Sequence, residues 1–257
     1  MKATTFTIHS KKYEHHEGLR KKRQSQLISK GFTLDNENPD LVIVVGGDGT
    51  FLREVRNRKF NGRFVLLNTG HLGFFSEFSI EEANKLLYAI LEKEPEEEVL
   101  PLGKITNSTG NYDYFLNDVC IEGLKTCWVT ARIDDEILTT IRGNGIVIST
   151  PIGSSGYAAS LGSPFRIGSP DVYEFATIAP CYNRLSFNPI NKAIISNKKT
   201  LSIELRGKRI PVLDGISAGS LRDNKFVFAP KSEKTLTLLH FRKQSEVIRL
   251  RERISGK

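Results

Sequence analysis

Leu41-Val42-Ile43-Val44-Val45-Gly46-Gly47-Asp48-Gly49-Thr50 joins an apolar run to a glycine-rich turn. The five apolar residues, mostly β-branched and bounded by Pro39 and Gly46, leave no polar face. Such a run fits a strand covered on both sides, as in a parallel sheet. Three glycines within four positions let the backbone turn tightly, reach positive φ and set N–H groups against an anion. Phe51 to Lys59 reads as a helix, whose positive end would face that anion too. A carboxylate inside a phosphate-binding turn is repelled by its ligand. Asp48 therefore suggests either a magnesium-associated role or a base that takes a hydroxyl proton, although an ordinary Asp-Gly turn carries the same letters. The turn is not a P-loop, because no Gly-Lys-Ser/Thr follows at the required spacing.

On either side of this stretch, strands alternate with helices. Thr4 to His9 reads as a first strand, and the polar, basic segment after it runs to Lys30, where Gly31 can end a helix. Phe64-Val65-Leu66-Leu67 is another buried strand. Ser79 with Glu82 three residues later is a capping-box pattern, and Ala83, Leu86, Leu87, Ile90 and Leu91 recur on one helical face. The alternation argues for an α/β layer up to about Glu94. Pro95-Glu96-Glu97-Glu98 reads as an acidic, turn-forming connector. Short β-rich runs follow at Lys104–Thr106, Tyr114–Ile121, Trp128–Ile133, Ile146–Ser149, Lys192–Ile195, Leu201–Leu205 and Lys225–Phe228. Their Gly, Asn and Pro spacers predict a mostly antiparallel β domain. Thr235 to Arg251 begins strand-like and becomes helical and basic.

The 257 residues suffice for two modest domains. With 39% hydrophobic and 26% charged residues the composition is globular. No apolar run approaches the roughly 18 residues of a membrane span, and Met1 to Phe6 lacks a secretory signal. Cys120, Cys127 and Cys181 form no CxxC pair and are odd in number, which predicts a reducing, cytoplasmic setting. A net charge of +8 suits nucleic acid, acidic headgroups or phosphorylated small molecules. It is concentrated in Arg20-Lys21-Lys22-Arg23 and in the stretch from His240 to Lys257, where Arg242, Lys243, Arg249, Arg251, Arg253 and Lys257 face only Glu246 and Glu252. Solvated helix faces and a tail explain such clusters. No aromatic residues interleave with the arginines to stack on bases, so neither nucleic acid nor membrane is an expected partner.

Two further segments carry chemistry. Asn68-Thr69-Gly70-His71-Leu72-Gly73-Phe74 follows the strand Phe64–Leu67. Neighbouring strand ends of one parallel sheet flank a single crevice, where His71 could touch a phosphate or ribose. Ser149-Thr150-Pro151-Ile152-Gly153-Ser154-Ser155-Gly156-Tyr157, ending near Ser160, gathers hydroxyls, glycines and one aromatic ring into a loop suited to a sugar or base. No Gly-x-Ser-x-Gly elbow is present, which disfavours a serine hydrolase.

These three motifs, in this order, resemble the NAD kinase family. The family pattern runs GGDGT, a GHLGF-like segment, an asparagine–acidic pair, R-G-D-G, a TPTGSTAY-like loop and a late aspartate-glycine. The matches are Gly46–Thr50, Gly70–Phe74, Asn117-Asp118, Arg142-Gly143-Asn144-Gly145, Thr150–Tyr157 and Asp214-Gly215, spread over residues 40 to 241. GGDGT alone is shared with lipid kinases and phosphofructokinases; the combination is specific. Asp118 stands where glutamate is common, and Asn144 replaces an aspartate. Ile152, Ser155 and Gly156 replace threonine, threonine and alanine.

The resemblance implies phosphoryl transfer from ATP, or polyphosphate in some members, to the adenosine ribose 2′-hydroxyl of NAD, with Mg²⁺ or another divalent metal. By it, Asp48 orients and deprotonates the hydroxyl, while Gly46, Gly47, Gly49 and Thr50 hold the donor phosphates. Gly49 and His71 also border the dinucleotide, and Asn117 and Asp118 engage the adenosine. Ser155, Gly156, Tyr157 and Ser160 would line the pocket, with Arg142, Asn144, Ala179, Ser186 and Asp214 completing it. No protein metal ligand is assigned. A homo-oligomer, the family's tetramer, is the expected assembly. The fold expected is a Rossmann-like three-layer α/β domain over residues 1–98, a β-sandwich-like dinucleotide-binding domain over 99–238, and a final segment, 239–257, returning to the first domain. A lipid kinase, or a dinucleotide-binding regulator without catalysis, are the alternatives.

Overall fold

The computed structural model describes residues 4–10, 14–70, 73–168, 171–181, 190–229, 231–242, 245, 247, 248, 250 and 251. The chain forms two compact units, one of residues 1–100 and 235–257, the other of residues 101–234. The expected α/β part and β-rich part are both present, the first built on a mostly parallel sheet and the second on a large antiparallel one.

In the first unit the elements run β1 (Thr5–Ser10), α1 (Glu14–Ile28), β2 (Thr33–Leu34), β3 (Leu41–Val45), α2 (Asp48–Asn57), β4 (Arg63–Asn68), β5 (Ser76–Ser79), α3 (Ala83–Glu92) and β6 (Glu96–Pro101). A closing strand, Thr235–His240, joins the same sheet, whose order is β2-β1-β3-β4-closing strand-β6. β4 shares its far edge between two parallel partners, the closing strand at Arg63–Phe64 and β5 at Leu66–Asn68.

Three layers follow from side-chain alternation along the strands. Leu41, Ile43 and Val45, with Val65 and Leu67, pack on Leu27 of α1 and on Ala83, Leu86, Ala89 and Ile90 of α3. Val42, Val44, Phe64 and Leu66 point the other way and are equally buried. On that face Phe51 of α2 meets Phe64 edge-on, with ring centroids 5.9 Å apart. Ser79 and Glu82 make the expected capping box ahead of α3. β3 and β4 run parallel in register from Leu41↔Arg63 to Val45↔Leu67. The Gly46 and Thr69 turns therefore leave from the same edge of the sheet.

The second unit contains β7 (Gly103–Asn107), β8 (Tyr112–Phe115), β9 (Asp118–Ile133), β10 (Glu136–Ser149), α4 (Tyr157–Ser160), β11 (Val172–Ile178), β12 (Lys192–Ser196), β13 (Leu201–Arg209), β14 (Val212–Leu213), β15 (Ile216–Ser217) and β16 (Asp223–Ala229). The order is β12-β11-β10-β9-β13-β16-β7-β8, with β14 on β9. One face buries Ile121, Val129, Ile141, Ile146, Ile148, Tyr173, Phe175, Ile203 and Phe226 in a single core.

Several expectations change. Pro95–Glu98 is no connector: Glu96 starts β6. Its acidic side chains are tolerated in a strand because Glu97 pairs with Arg63 at 3.1 Å and Glu98 with His240 at 2.6 Å. The run Tyr114–Ile121 is two strands. Between them the Asp214 carboxylate accepts the N–H groups of Leu116, Asn117 and Asp118, replacing a ladder. The helix expected from Phe51 starts at Asp48. Of the basic tail, residues 247, 248, 250 and 251 are helical, while Lys243, Glu246, Arg249, Glu252, Arg253 and Lys257 lie outside the described residues.

Candidate functional site

In the first unit the site is built around Asp48, the first residue of α2. Its carboxylate accepts the backbone N–H of Phe74 at 2.6 Å through Oδ2 and that of Phe75 at 3.3 Å through Oδ1. Those donors belong to the segment just past β4, so the two turns anticipated from sequence do meet. The meeting is tight. A Cβ on Gly73 would collide with Asp48 Oδ1, so any larger residue there must displace the carboxylate. Phe75 stacks on Phe51 at 4.7 Å, which ties α2 to the segment that grips Asp48. Losing Phe51, fully buried, would cost about 3–5 kcal/mol. A carboxylate offers about four lone-pair positions, so two acceptor positions remain for a hydroxyl after these bonds.

Of the roles expected of the turn's glycines, positive φ is the one the structure does not bear out. Gly46, Gly47 and Gly49 are absent from the positive-φ positions, and Gly47 has φ −92°. Space is what Gly46 needs: a Cβ there would sit 2.6 Å from Thr50 Cβ. A Cβ on Gly47 or Gly49 would meet no protein atom within 4 Å. Protein packing thus leaves the backbone of these two residues open to close approach by a phosphate. Asn68 Oδ1 accepts the Gly70 N–H at 3.1 Å and shapes the second turn. His71 lies outside the described residues.

In the second unit Asn117, Asp118, the Thr150–Tyr157 loop and Asp214 come together. The Thr150 hydroxyl donates to the Leu116 carbonyl at 2.6 Å, and the Thr150 N–H to the Asn117 carbonyl at 2.9 Å. A Cβ on Gly153 would lie 2.2 Å from that same carbonyl. The loop is thereby pressed onto Asn117. Asn117 Oδ1 is buried without a hydrogen-bond partner, an acceptor prepared for a polar group. Asp118 is buried, and burial first, then the charge of Asp214, pushes its carboxyl up to about 6, against the Tyr157 backbone N–H. Asp214, at φ +50°, is itself committed to the three backbone N–H groups already described. Gly156 and Asp118, two of the departures from the family pattern, are neighbours: a Cβ on Gly156 would come within 3.0 Å of Asp118 Oδ2. The shorter acid and the missing methyl change the same corner.

Tyr157 is exposed and its hydroxyl reaches Glu122 at 3.5 Å; the Ser160 hydroxyl donates to the Tyr157 carbonyl at 2.7 Å. Ser155 and Gly156 are half-buried beside them. Arg142 and Asn144 lie farther along β10, opposite an excursion of β9 where Gly143 pairs with Cys127 and Gly145 with Glu122. Arg142 Nε donates to Thr126 Oγ1 at 3.1 Å, and Asn144 Nδ2 to the Gly123 carbonyl at 3.4 Å. Ala179 is exposed at φ +45°, and its carbonyl would lie 3.4 Å from a Cβ on Gly143. Ser186 lies outside the described residues. Sequence reasoning missed Gly73, the Phe74 and Phe75 donors, and Thr150 as the peg of the loop. Only the glycine spacing of the second motif hinted at the first of these.

Among the described residues no group of three His, Cys, Asp or Glu side chains is placed to hold a metal ion, and no helix is long and apolar enough to cross a membrane. The sequence matches the ATP-NAD kinase N-terminal domain over residues 1–95 and the ATP-NAD kinase C-terminal domain over residues 116–241. NAD kinase 1 of Bacillus cereus (strain ATCC 10987 / NRS 248) is 32% identical over 202 residues, spanning 75% of this chain and 76% of that protein. The crystal structure of an NAD kinase from Archaeoglobus fulgidus in complex with ATP aligns with a TM-score of 0.80 at 25% identity, covering 98% of this chain and 99% of that one. Yeast NADH kinase complexed with NADH shares the fold, with a TM-score of 0.78 at 16% identity over 99% of this chain and 88% of that one.

Proposed function

Because the chain belongs to the NAD kinase family and is an NAD kinase, we propose that it transfers the γ-phosphoryl group of ATP to the adenosine ribose 2′-hydroxyl of NAD, with Asp48 taking the proton. Inorganic polyphosphate is a second candidate donor. The observation that carries this reading is the grip on Asp48, whose carboxylate is aimed by the Phe74 and Phe75 N–H groups at the head of a glycine turn. Phosphoryl transfer through a loose transition state asks little covalent chemistry of the protein and much positioning.

The 2′-oxygen attacks the γ-phosphorus, the bond from that phosphorus to the β–γ bridging oxygen breaks, and ADP leaves. Asp48 accepts the hydroxyl proton late, when the oxygen has become acidic. Gly47 and Gly49 receive the donor phosphates on backbone N–H groups at the positive end of α2, beside Gly46 and the Thr50 hydroxyl, because the Gly46 and Thr50 N–H groups themselves donate to the Leu67 and Gly47 carbonyls at 3.0 and 2.9 Å. The divalent metal arrives with the donor as Mg·ATP, in keeping with the preference of Mg²⁺ for phosphate oxygens and few protein ligands.

Asn117 Oδ1 and the Asp118 carboxylate accept from the adenosine, with Ser155, Gly156, Tyr157 and Ser160 beside them. Arg142 offsets pyrophosphate charge, and Asn144 and Ala179 meet the far end of the dinucleotide. His71 and Ser186 are assigned to the same ligand from their motif positions. Asp214 acts through the backbone it holds. The protein works in the cytoplasm as a homotetramer. The matched families and relatives are NAD or NADH kinases, which leaves the lipid-kinase and regulator readings without support. Purified protein given NAD and Mg·ATP should form NADP, and Asp48→Asn should nearly abolish the reaction. Measurable NAD binding with no turnover on any donor would refute the reading.

A further inference from the structure

Glu174 carries a carboxylate into β11, paired on both sides by β10 and the edge strand β12. Its side chain is 2% exposed, and Tyr173 and Phe175 on either side are fully buried. Its cross-strand partner is Ser149, the last residue of β10 before the chain leaves for the Thr150–Tyr157 loop. The countercharge comes from Arg166, in the segment between α4 and β11. Arg166 Nε donates to Glu174 Oε1 at 2.7 Å, and that side chain too is only 9% exposed. The backbone N–H of Arg166 donates to the buried Ser154 Oγ at 3.1 Å, inside the single turn Ile152–Ser155. One residue therefore holds the loop through its main chain and the sheet through its side chain. On the same face of the sheet Ala158 packs on Cys120, Val147 and Ile178, a second and purely apolar anchor.

A buried ion pair is a poor source of stability, because desolvation cancels much of the attraction and an apolar pair of similar volume often does as well. This one is worse than most: one terminal nitrogen of Arg166 and Oε2 of Glu174 are buried without partners. What the pair supplies, and two apolar side chains would not, is direction. We propose that Arg166 and Glu174 are positioning residues for the dinucleotide-binding loop, fixing Ser155, Gly156 and Tyr157 against Asp118 by clamping Ser154 to β11. The proposal rests on the reading that this loop holds NAD.

Steady-state kinetics of Glu174→Gln, Arg166→Met and Ser154→Ala, with NAD and ATP varied separately, test it. Misplacement on the order of 1 Å should raise KM for NAD by about tenfold or more, while KM for ATP stays at its wild-type value. Amide hydrogen exchange across residues 150–160 should quicken in the same variants. The double variant Arg166→Met/Glu174→Leu should recover thermal stability without recovering KM for NAD, because an apolar pair packs but does not aim. Folded variants with wild-type KM for NAD, or a double variant that recovers Tm and KM together, overturn the proposal. Should the pair variants fail to fold, Ser154→Ala decides alone, since it leaves both charges in place. A wild-type protein that makes no NADP refutes the proposed function instead, and hydrogen exchange still reports whether the clamp holds the loop.

Discussion

Gly73→Ala places a methyl group where the Asp48 carboxylate already is. The added Cβ would lie 2.3 Å from Oδ1 and 2.8 Å from Cγ, against ordinary contact from 3.4 Å upward. Relief requires a displacement of about 1 Å, either of the carboxylate or of the Gly73–Phe75 backbone. Either movement breaks the 2.6 Å bond from the Phe74 N–H, a bond to a charged acceptor worth about 1.5–3 kcal/mol. A misplacement of about 1 Å costs on the order of 100-fold in rate, or about 2.7 kcal/mol of barrier, so the two estimates agree. The loss should fall on kcat, with KM for ATP and the far-ultraviolet circular dichroism little changed. Asp48 is half-buried and can swing outward without unfolding α2. Following NADP formation with an NADP-specific dehydrogenase gives kcat directly. A folded Gly73→Ala protein with kcat within threefold of wild type would show that the grip on Asp48 is not what aims it.

Gly49→Ala should raise stability while weakening donor binding. It sits exposed in the first turn of α2 with no atom near its Cβ, so helix propensity favours alanine by up to about 1 kcal/mol. Thermal unfolding should show that gain while KM for ATP rises severalfold; an unchanged KM would remove the glycine turn from donor binding. Asp118 has its folded pKa raised from 3.8 to about 6, by burial first and Asp214 second. The native state therefore holds a proton that the unfolded chain has released between those values, and stability falls as pH rises through that window. Asp118→Asn should stabilise by about 2–3 kcal/mol at neutral pH, a gain that vanishes below about pH 4; a pH-independent difference contradicts this. For His240, burial alone would lower the pKa, but Glu77 and Glu98 at 2.7 and 2.6 Å overcome it and push it up to about 9. Its contribution is full below about pH 6.5 and is lost as pH rises through about 9. His240→Gln should cost about 2–3 kcal/mol at pH 7 and flatten the alkaline decline measured by urea unfolding.

The parallel sheet and its glycine turn were legible because Leu41–Val45 and Phe64–Leu67 have no polar face, which few structures other than a doubly covered strand accommodate. β11 went unanticipated for the matching reason. Glu174 interrupts its apolar run, and the arginine that neutralises it lies in a loop with no periodic pattern. β6 was hidden in the same way by three consecutive glutamates, of which Glu97 and Glu98 find partners, Arg63 and His240, that are distant in sequence. At the candidate site, Asp48 and the Thr150–Tyr157 loop could be named from letters because glycines and hydroxyls cluster around them, and Asn117 and Asp118 because they match the family pattern. The groups that aim Asp48 are backbone N–H groups 26 and 27 residues away, and a backbone donor looks alike in every residue but proline. The positive-φ role expected of the first glycines failed because glycine answers two needs, conformation and space. Gly46 and Gly73 answer the second.

The central claim is that Asp48 takes the ribose 2′-proton. Single-turnover formation of NADP by wild-type and Asp48→Asn protein, each saturated with NAD and Mg·ATP, tests it most directly. Asparagine keeps the shape and can still accept the Phe74 N–H, but it cannot take a proton. The account predicts undiminished NAD binding with the chemical step slowed by about 100-fold to 10,000-fold, the usual span of a general base. A chemical step within a few fold of wild type would contradict it.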